Sequence, residues 1–195
     1  MKRVLALTAC AALALVACGD DDDDDAADTV SPASVVGTAA DTKQIIEVVA
    51  TDYTFTGIPD SVPAGTTFAL QNDSTKEVHE MVMIRIPDEV TETVGQLLAL
   101  PEEELDAKVG EIEPTSVIVA LPGELGMPMV GNGTLDEPGR YAVLCFIPVG
   151  ADPAMVEEAM SMPPGTGEAE QPDLGGGAPH IAQGMYAEVL VEEGP

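Results

Sequence analysis

The sequence predicts an all-β fold, a single-domain β-sandwich, and three observations carry that expectation. From Gln44 onward, seven short runs rich in β-branched and apolar residues are separated by Pro, Gly, Asn and Asp, which is the punctuation of strands joined by turns. The segment is about 150 residues long, enough for one proper core and too short for two. Only two segments break the pattern, at about 87–110 and about 149–178.

The chain begins with a part that does not belong to the fold. Met1-Lys2-Arg3 followed by the apolar stretch Val4 to Val16 reads as a secretory signal peptide, too short for a spanning helix. It ends in Leu15-Val16-Ala17-Cys18, which resembles the bacterial lipobox. That resemblance makes residues 1–17 a removable leader and Cys18 the lipidated N-terminus, held on the extracytoplasmic face of a bacterial membrane by two acyl chains. Residues 18–43 open with the acidic run Asp20 to Asp25 and continue without hydrophobic periodicity, so a disordered tether is expected.

The domain, 44–195, follows. Its expected strands are Ile45 to Ala50, Tyr53 to Thr56, Thr67 to Asn72, Val78 to Ile86, Ser116 to Ala120, Arg140 to Phe146 and Tyr186 to Val191. Trp is absent and Phe and Tyr number three each, so Val, Ile, Leu and Met must fill the core. In the fourth run Met81 and Met83 share a face with His79, while Val82 and Ile84 point the other way, so that strand needs apolar cover on both sides. The cover is expected from the insertion 87–110, where Val90, Val94, Leu97, Leu98, Leu105 and Val109 recur at mostly helical spacing. Pro101 opens a second helix there, with Glu102 to Glu104 in its first turn. The second interruption, 149–178, begins with a short helical stretch, Pro153 to Met160, and continues as a Pro/Gly/Glu-rich loop ending in Gly175-Gly176-Gly177. Loops of this length within compact domains are commonly functional or disordered.

Rare residues locate the chemistry. Beyond Ala17 the chain holds two histidines and two cysteines. Three of those four, His79, Cys145 and His180, combine with Met185 into a set of two imidazoles, one thiol and one thioether. That donor set suits copper cycling between two oxidation states, with soft sulfur favouring Cu(I) and imidazole accepting both. Cys145 has no partner for a disulfide, and an unpaired thiol outside the cytoplasm survives by burial or by metal binding.

The surrounding residues carry a family resemblance. Pro138-Gly139-Arg140-Tyr141-Ala142-Val143-Leu144-Cys145 resembles the PG-x-Y-x-x-x-C segment of cupredoxins, the plastocyanin and azurin family. His180-Ile181-Ala182-Gln183-Gly184-Met185 is similar to that family's H-x-x-x-G-M segment and precedes a final strand. Pro63-Ala64-Gly65-Thr66-Thr67-Phe68, Asn72 and His79 resemble its upstream turn, strand and first ligand. The resemblance spans about Gln44 to Glu193. It implies a Greek-key β-sandwich with a helical insertion and a long loop before the last strand. It further implies one type 1 copper ion, with His79, Cys145 and His180 in a trigonal plane and Met185 as a weak axial ligand. One departure is plain: cupredoxins keep the cysteine and second histidine a few residues apart, whereas 34 residues lie between Cys145 and His180.

Other classes are narrowed by composition. With Lys2 and Arg3 removed, five basic residues face 35 acidic ones, a formal charge of −30, which disfavours nucleic acid and anionic lipid and reads either as a means of solubility or as a surface that steers a basic redox partner. Both histidines are committed to the ligand set and no Gly-rich phosphate loop precedes a helix, so an enzyme is not expected; a monomeric, membrane-tethered carrier of single electrons is. Two alternatives stay open. One is a copper chaperone or store using Met127, Met129, Met160 and Met162, in their M-x-M pairs, as secondary Cu(I) contacts. The other is a metal-free module that binds another protein.

Overall fold

A computed structural model describes residues 44–110, 113–161 and 173–194. Among these residues ten strands form two sheets: β1 (Ile45–Thr51), β2 (Thr54–Thr56), β3 (Ser61–Pro63), β4 (Thr66–Asn72), β5 (His79–Arg85), β6 (Ser116–Ala120), β7 (Met127–Val130), β8 (Thr134–Leu135), β9 (Gly139–Leu144) and β10 (Tyr186–Glu192). One sheet runs β2-β1-β4-β8 and the other β3-β10-β9-β5-β6-β7. Both are mixed, since β1 lies parallel to β4 and β10 parallel to β3, while the remaining pairs are antiparallel. All seven expected strand runs form strands. The leader, Cys18 and the acidic segment lie outside the described residues, as does Met162. No helix among the described residues is long and apolar enough to cross a membrane.

The core follows from strand alternation. β4 alternates buried and half-buried residues along its whole length, turning Phe68 and Leu70 inward. Val48 and Ala50 of β1, Met81 and Met83 of β5, Val143 of β9 and Val189 and Val191 of β10 meet them. Tyr141 is the largest fully buried side chain. Its hydroxyl donates to the Glu137 carbonyl at 3.0 Å, which fixes the turn that launches β9. Gly139 in that turn has φ +143°, and a Cβ there would meet the Arg85 guanidinium at about 2.8 Å, so only glycine fits.

β5 is covered on its second face as expected. Val82 joins Ala142, Leu144, Ile86, Val90, Val94 and Leu97 in a separate apolar cluster beneath the insertion. The insertion is less helical than its periodicity implies: α1 covers only Val94–Leu98 and α2 Glu102–Val109. The first turn is set by a capping box, in which the Thr93 side chain accepts from the Gln96 amide and the Gln96 side chain accepts from the Thr93 amide. The helix therefore starts only after Thr93, and Val90 reaches the cluster from the non-helical chain before it. Pro101 does precede α2, which carries Glu102 to Glu104 at its start and Lys108 at its end, matching the helix dipole. A third helix, α3 (Pro153–Met160), forms with Asp152 capping the Ala154 amide.

Arg140 fastens the insertion to the sheet through several bonds at once. Arg140 donates to the Val90 carbonyl at 2.8 Å, the Glu92 carbonyl at 2.6 Å and Glu188 at 2.8 Å, while Glu188 also accepts from the Val94 amide at 3.1 Å. Charge-assisted bonds of this kind outweigh neutral ones, and removing one partner strands the rest. Arg140→Ala should cost about 2 kcal/mol in urea unfolding and should release the Leu97 amide to hydrogen exchange well before the β4 amides.

Candidate metal centre

His79, Cys145 and His180 are all fully buried, and their potential ligand atoms lie within 4.8 Å of one another. Each is delivered by a different piece of backbone. His79 is the first residue of β5, paired across to Ala120 of β6. Cys145 follows the last residue of β9. His180 opens a 3-10 turn, His180–Gln183, whose exit residue Gly184 sits at φ +95° in the left-handed region, a position favouring glycine. That turn returns the chain at once into β10 through Met185.

Backbone hydrogen bonds lock these pieces together. The Cys145 amide donates to the Met185 carbonyl at 3.3 Å, the Ile181 amide to the Cys145 carbonyl at 2.8 Å, the Met185 amide to the His180 carbonyl at 3.1 Å and the His180 amide to the Ile147 carbonyl at 2.9 Å. Met185 is fully buried beside them. The long gap between Cys145 and His180 is bridged at its base: Pro148 pairs with Pro179, the Val149 amide donates to Ala178 and the Gly177 amide to Val149. The described ends of the gap thus meet beside the ligand segments, and Ala151 and Val156 between them pack into the core. The gap lengthens the chain without moving the histidine.

The approach to His79 is held as firmly. Buried Asn72 donates through Nδ2 to the carbonyls of Glu77 and Ala120, both at 2.9 Å, and accepts from the Ser74 amide at 2.9 Å. Ser74 Oγ accepts from the Glu77 amide at 3.0 Å. Every polar atom of the Asn72 amide group is engaged, as burial demands, so the loop from Asp73 to Val78 has one shape.

Electrostatics leave the three groups neutral near pH 7. Burial, then the neighbouring His180, lowers the His79 pKa to about 4. Burial lowers that of His180, against a hydrogen bond to the Glu77 carboxylate that raises it. Burial pushes the Cys145 thiol up to about 12, although the Glu80 amide, 3.4 Å from Sγ, opposes the rise. Neutral imidazoles are ready to ligate. The thiol must first surrender its proton, which a bound cation makes easy.

The decisive contrast lies between the two histidines. His180 Nδ1 is 3.3 Å from Cys145 Sγ and its Nε2 is 3.3 Å from Glu77 Oε2. His79 has both ring nitrogens buried with no hydrogen-bond partner among the described residues. Unpartnered buried polar atoms are expensive and rare. An imidazole lone pair facing a thiol and a second imidazole is satisfied by a metal ion. The donor set, two imidazole nitrogens and one sulfur, with buried Met185 bonded through its backbone to Cys145 and His180, fits copper or zinc by softness. Ligand bonds near 2.0–2.3 Å require separations of about 4 Å, so closure from 4.8 Å needs side-chain shifts of under about 1 Å.

No family model and no curated protein matches the chain. Among solved structures it is similar to the dithionite-reduced auracyanin of the photosynthetic bacterium Roseiflexus castenholzii, with 20% identity over 77% of this chain and 98% of that one, at a TM-score of 0.40. It is also similar to auracyanin A, a "blue" copper protein of Chloroflexus aurantiacus, with 15% identity over 76% and 98% of the two chains, at a TM-score of 0.38. A multi-copper oxidase from Pediococcus acidilactici aligns with 10% identity over 79% of this chain and 27% of its own, at 0.37. Overlap at this level transfers no residue's role.

Of the methionine pairs, the described members Met127, Met129 and Met160 stand on other elements. Met127 and Met129 lie on the edge strand β7, 59% and 39% exposed, so neither fills the core. Met127 and Met160 line one cleft of about 220 Å³ together with Glu124 and Glu157. Two acids missed by sequence reasoning touch the buried cluster: Glu80, whose carboxylate accepts from the Phe146 amide at 2.8 Å, and Glu77. Nothing in their spacing marks either one.

Proposed function

We propose that this chain is an extracytoplasmic type 1 copper protein, tethered by lipid at Cys18 through the segment 18–43, that carries single electrons. His79, Cys145, His180 and Met185 are its ligands in this reading. The observation that carries it is the orphaned His79 imidazole facing the Cys145 and His180 pair inside a fully buried cluster. Copper bound there would supply one-electron exchange between Cu(II) and Cu(I).

The chain's own residues supply the rest. The backbone bonds among Cys145, Ile181, Met185 and His180 hold the ligand segments at fixed spacing, so little rearrangement accompanies a change of oxidation state. Burial excludes water and keeps the thiolate from disulfide exchange. The Glu80 amide donates toward Sγ and stabilises sulfur's negative charge. A formal charge of −28 over the whole sequence supports a basic protein as the electron partner.

Titrating the purified metal-free protein with Cu(II) tests this. One equivalent should produce an intense blue colour from thiolate-to-Cu(II) charge transfer, with loss of the titratable thiol and bleaching by a mild reductant. A colourless product whose Cys145 still reacts as a free thiol would sink the proposal.

A further inference from the structure

We propose that Glu77 is a positioning residue for the metal centre, fixing His180 as the Nε2–H tautomer and turning its Nδ1 lone pair toward Cys145. This rests on the copper reading for its redox consequences, but not for the tautomer itself. A carboxylate only accepts hydrogen bonds, so in the 3.3 Å contact between His180 Nε2 and Glu77 Oε2 the imidazole is the donor. Its other nitrogen, 3.3 Å from Cys145 Sγ, is then left with the lone pair that a metal takes. A metal-bound imidazole is commonly oriented in this way by a carboxylate on its far nitrogen.

Glu77 is itself anchored from three sides. Its Oε2 also accepts from the Gly150 amide at 2.8 Å, its carbonyl accepts from Asn72 Nδ2 at 2.9 Å and its amide donates to Ser74 Oγ at 3.0 Å. One residue thereby joins the loop that delivers His79, the base of the long excursion at Gly150 and the ring of His180. The carboxylate cannot follow His180 unless those segments move with it.

Tyr53 completes the enclosure. Its ring packs edge-on to His180 with centroids 4.9 Å apart, and Tyr53 is the one non-glycine residue among those described with positive φ, at 67°. An aromatic residue holds that conformation at a cost that packing must offset. Tyr53 and Glu77 also line an open polar cleft of about 430 Å³ with Asp52, Ser74, Thr75 and Lys76. They stand between that cleft and His180, which is fully buried.

A carboxylate accepting from the outer nitrogen makes the imidazole a stronger donor and favours the more highly charged metal state. Two substitutions separate geometry from charge. Glu77→Gln keeps an oxygen acceptor and removes the charge; Glu77→Ala removes both. In metal-free protein, 15N NMR should show His180 as the Nε2–H tautomer in the wild type and in Glu77→Gln, and as a mixture in Glu77→Ala. In copper-loaded protein, Glu77→Gln should keep the blue colour and raise the reduction potential, by on the order of a tenfold change in the Cu(II)/Cu(I) affinity ratio, about 59 mV for one electron. Glu77→Ala should lose about 10- to 100-fold in Cu(II) affinity. A wild-type His180 carrying its proton on Nδ1 overturns the proposal, as does an unchanged potential in Glu77→Gln. A wild type that never turns blue overturns the copper reading instead, and the metal-free tautomer still decides the part played by Glu77.

Discussion

Replacing Cys145 by serine is expected to abolish the blue colour completely and to weaken copper binding by more than the 10- to 100-fold that loss of an outer-sphere partner typically costs. The colour depends on sulfur, because the charge transfer originates on the thiolate, and serine's hydroxyl supplies no comparable donor at neutral pH. The affinity depends on it too, since Cys145 is the one negatively charged ligand once its proton is gone. The metal-free fold should survive the change. Cys145 is bonded to its neighbours through its amide and carbonyl, and these remain; the Glu80 amide that faced sulfur at 3.4 Å finds an oxygen in its place. Copper binding followed by competition with a Cu(I) chelator, alongside circular dichroism, checks both halves. A serine variant that stays blue would mean that the metal sits elsewhere.

The ligands could be read in the sequence because they are scarce. Two histidines and a lone domain cysteine, each at a strand end or a turn, leave few ways to be assembled, and the structure brings all three side chains together. Glu77 was hidden for the opposite reason. It is one of 35 acidic residues, and its partner lies 103 residues away, so no local pattern distinguishes it from its neighbours. The 34-residue gap before His180 is legible only on one side: the Gly and Pro residues that end the loop are visible in the sequence, whereas their partners, Pro148 for Pro179 and Val149 for Gly177 and Ala178, are not.

The strands divide along the same line. Runs with strong β-branched content, such as Ser116 to Ala120, were legible from propensity and alternation. β3, β7 and β8 were not. The first two contain Pro63 and Pro128, which argue against a central strand, and both occur where proline is tolerated, at the two edges of the larger sheet. β8 is two residues long and exists through its pairing with Thr66 and Thr67. In the helical insertion the apolar spacing located the buried face correctly, with Val94 and Leu97 buried. It overstated the helix because residues such as Val90 can reach the same cluster from non-helical chain.

The metal-free protein should be most stable in a window from about pH 6.5 to 9, and the histidines set its acid side. A base whose folded pKa is depressed binds protons less readily in the native state, so its stabilising contribution is present above the unfolded value and lost on acidification. For His79 that loss runs from pH 6.5 down through about 4. At 1.36 kcal/mol per pH unit it is bounded at about 3 kcal/mol. His180 shifts in the same direction and adds to the loss. On the alkaline side the thiol behaves conversely: its raised pKa makes its contribution complete below about 9 and progressively lost toward about 12. Acidification also relieves repulsion among the many carboxylates, which acts with the opposite sign. The difference between wild type and His79→Gln in urea unfolding isolates the imidazole, because the carboxylates are common to both. The wild type should lose more stability than the variant between about pH 6.5 and 4, and the two should run parallel from about pH 7 to 9. Bound Cu(II) should reverse the alkaline limb, because the thiol then ionises on binding. About one proton per copper should be released near pH 7, measurable by calorimetry in buffers of different ionisation enthalpy, and no release would mean that the thiol is not a ligand.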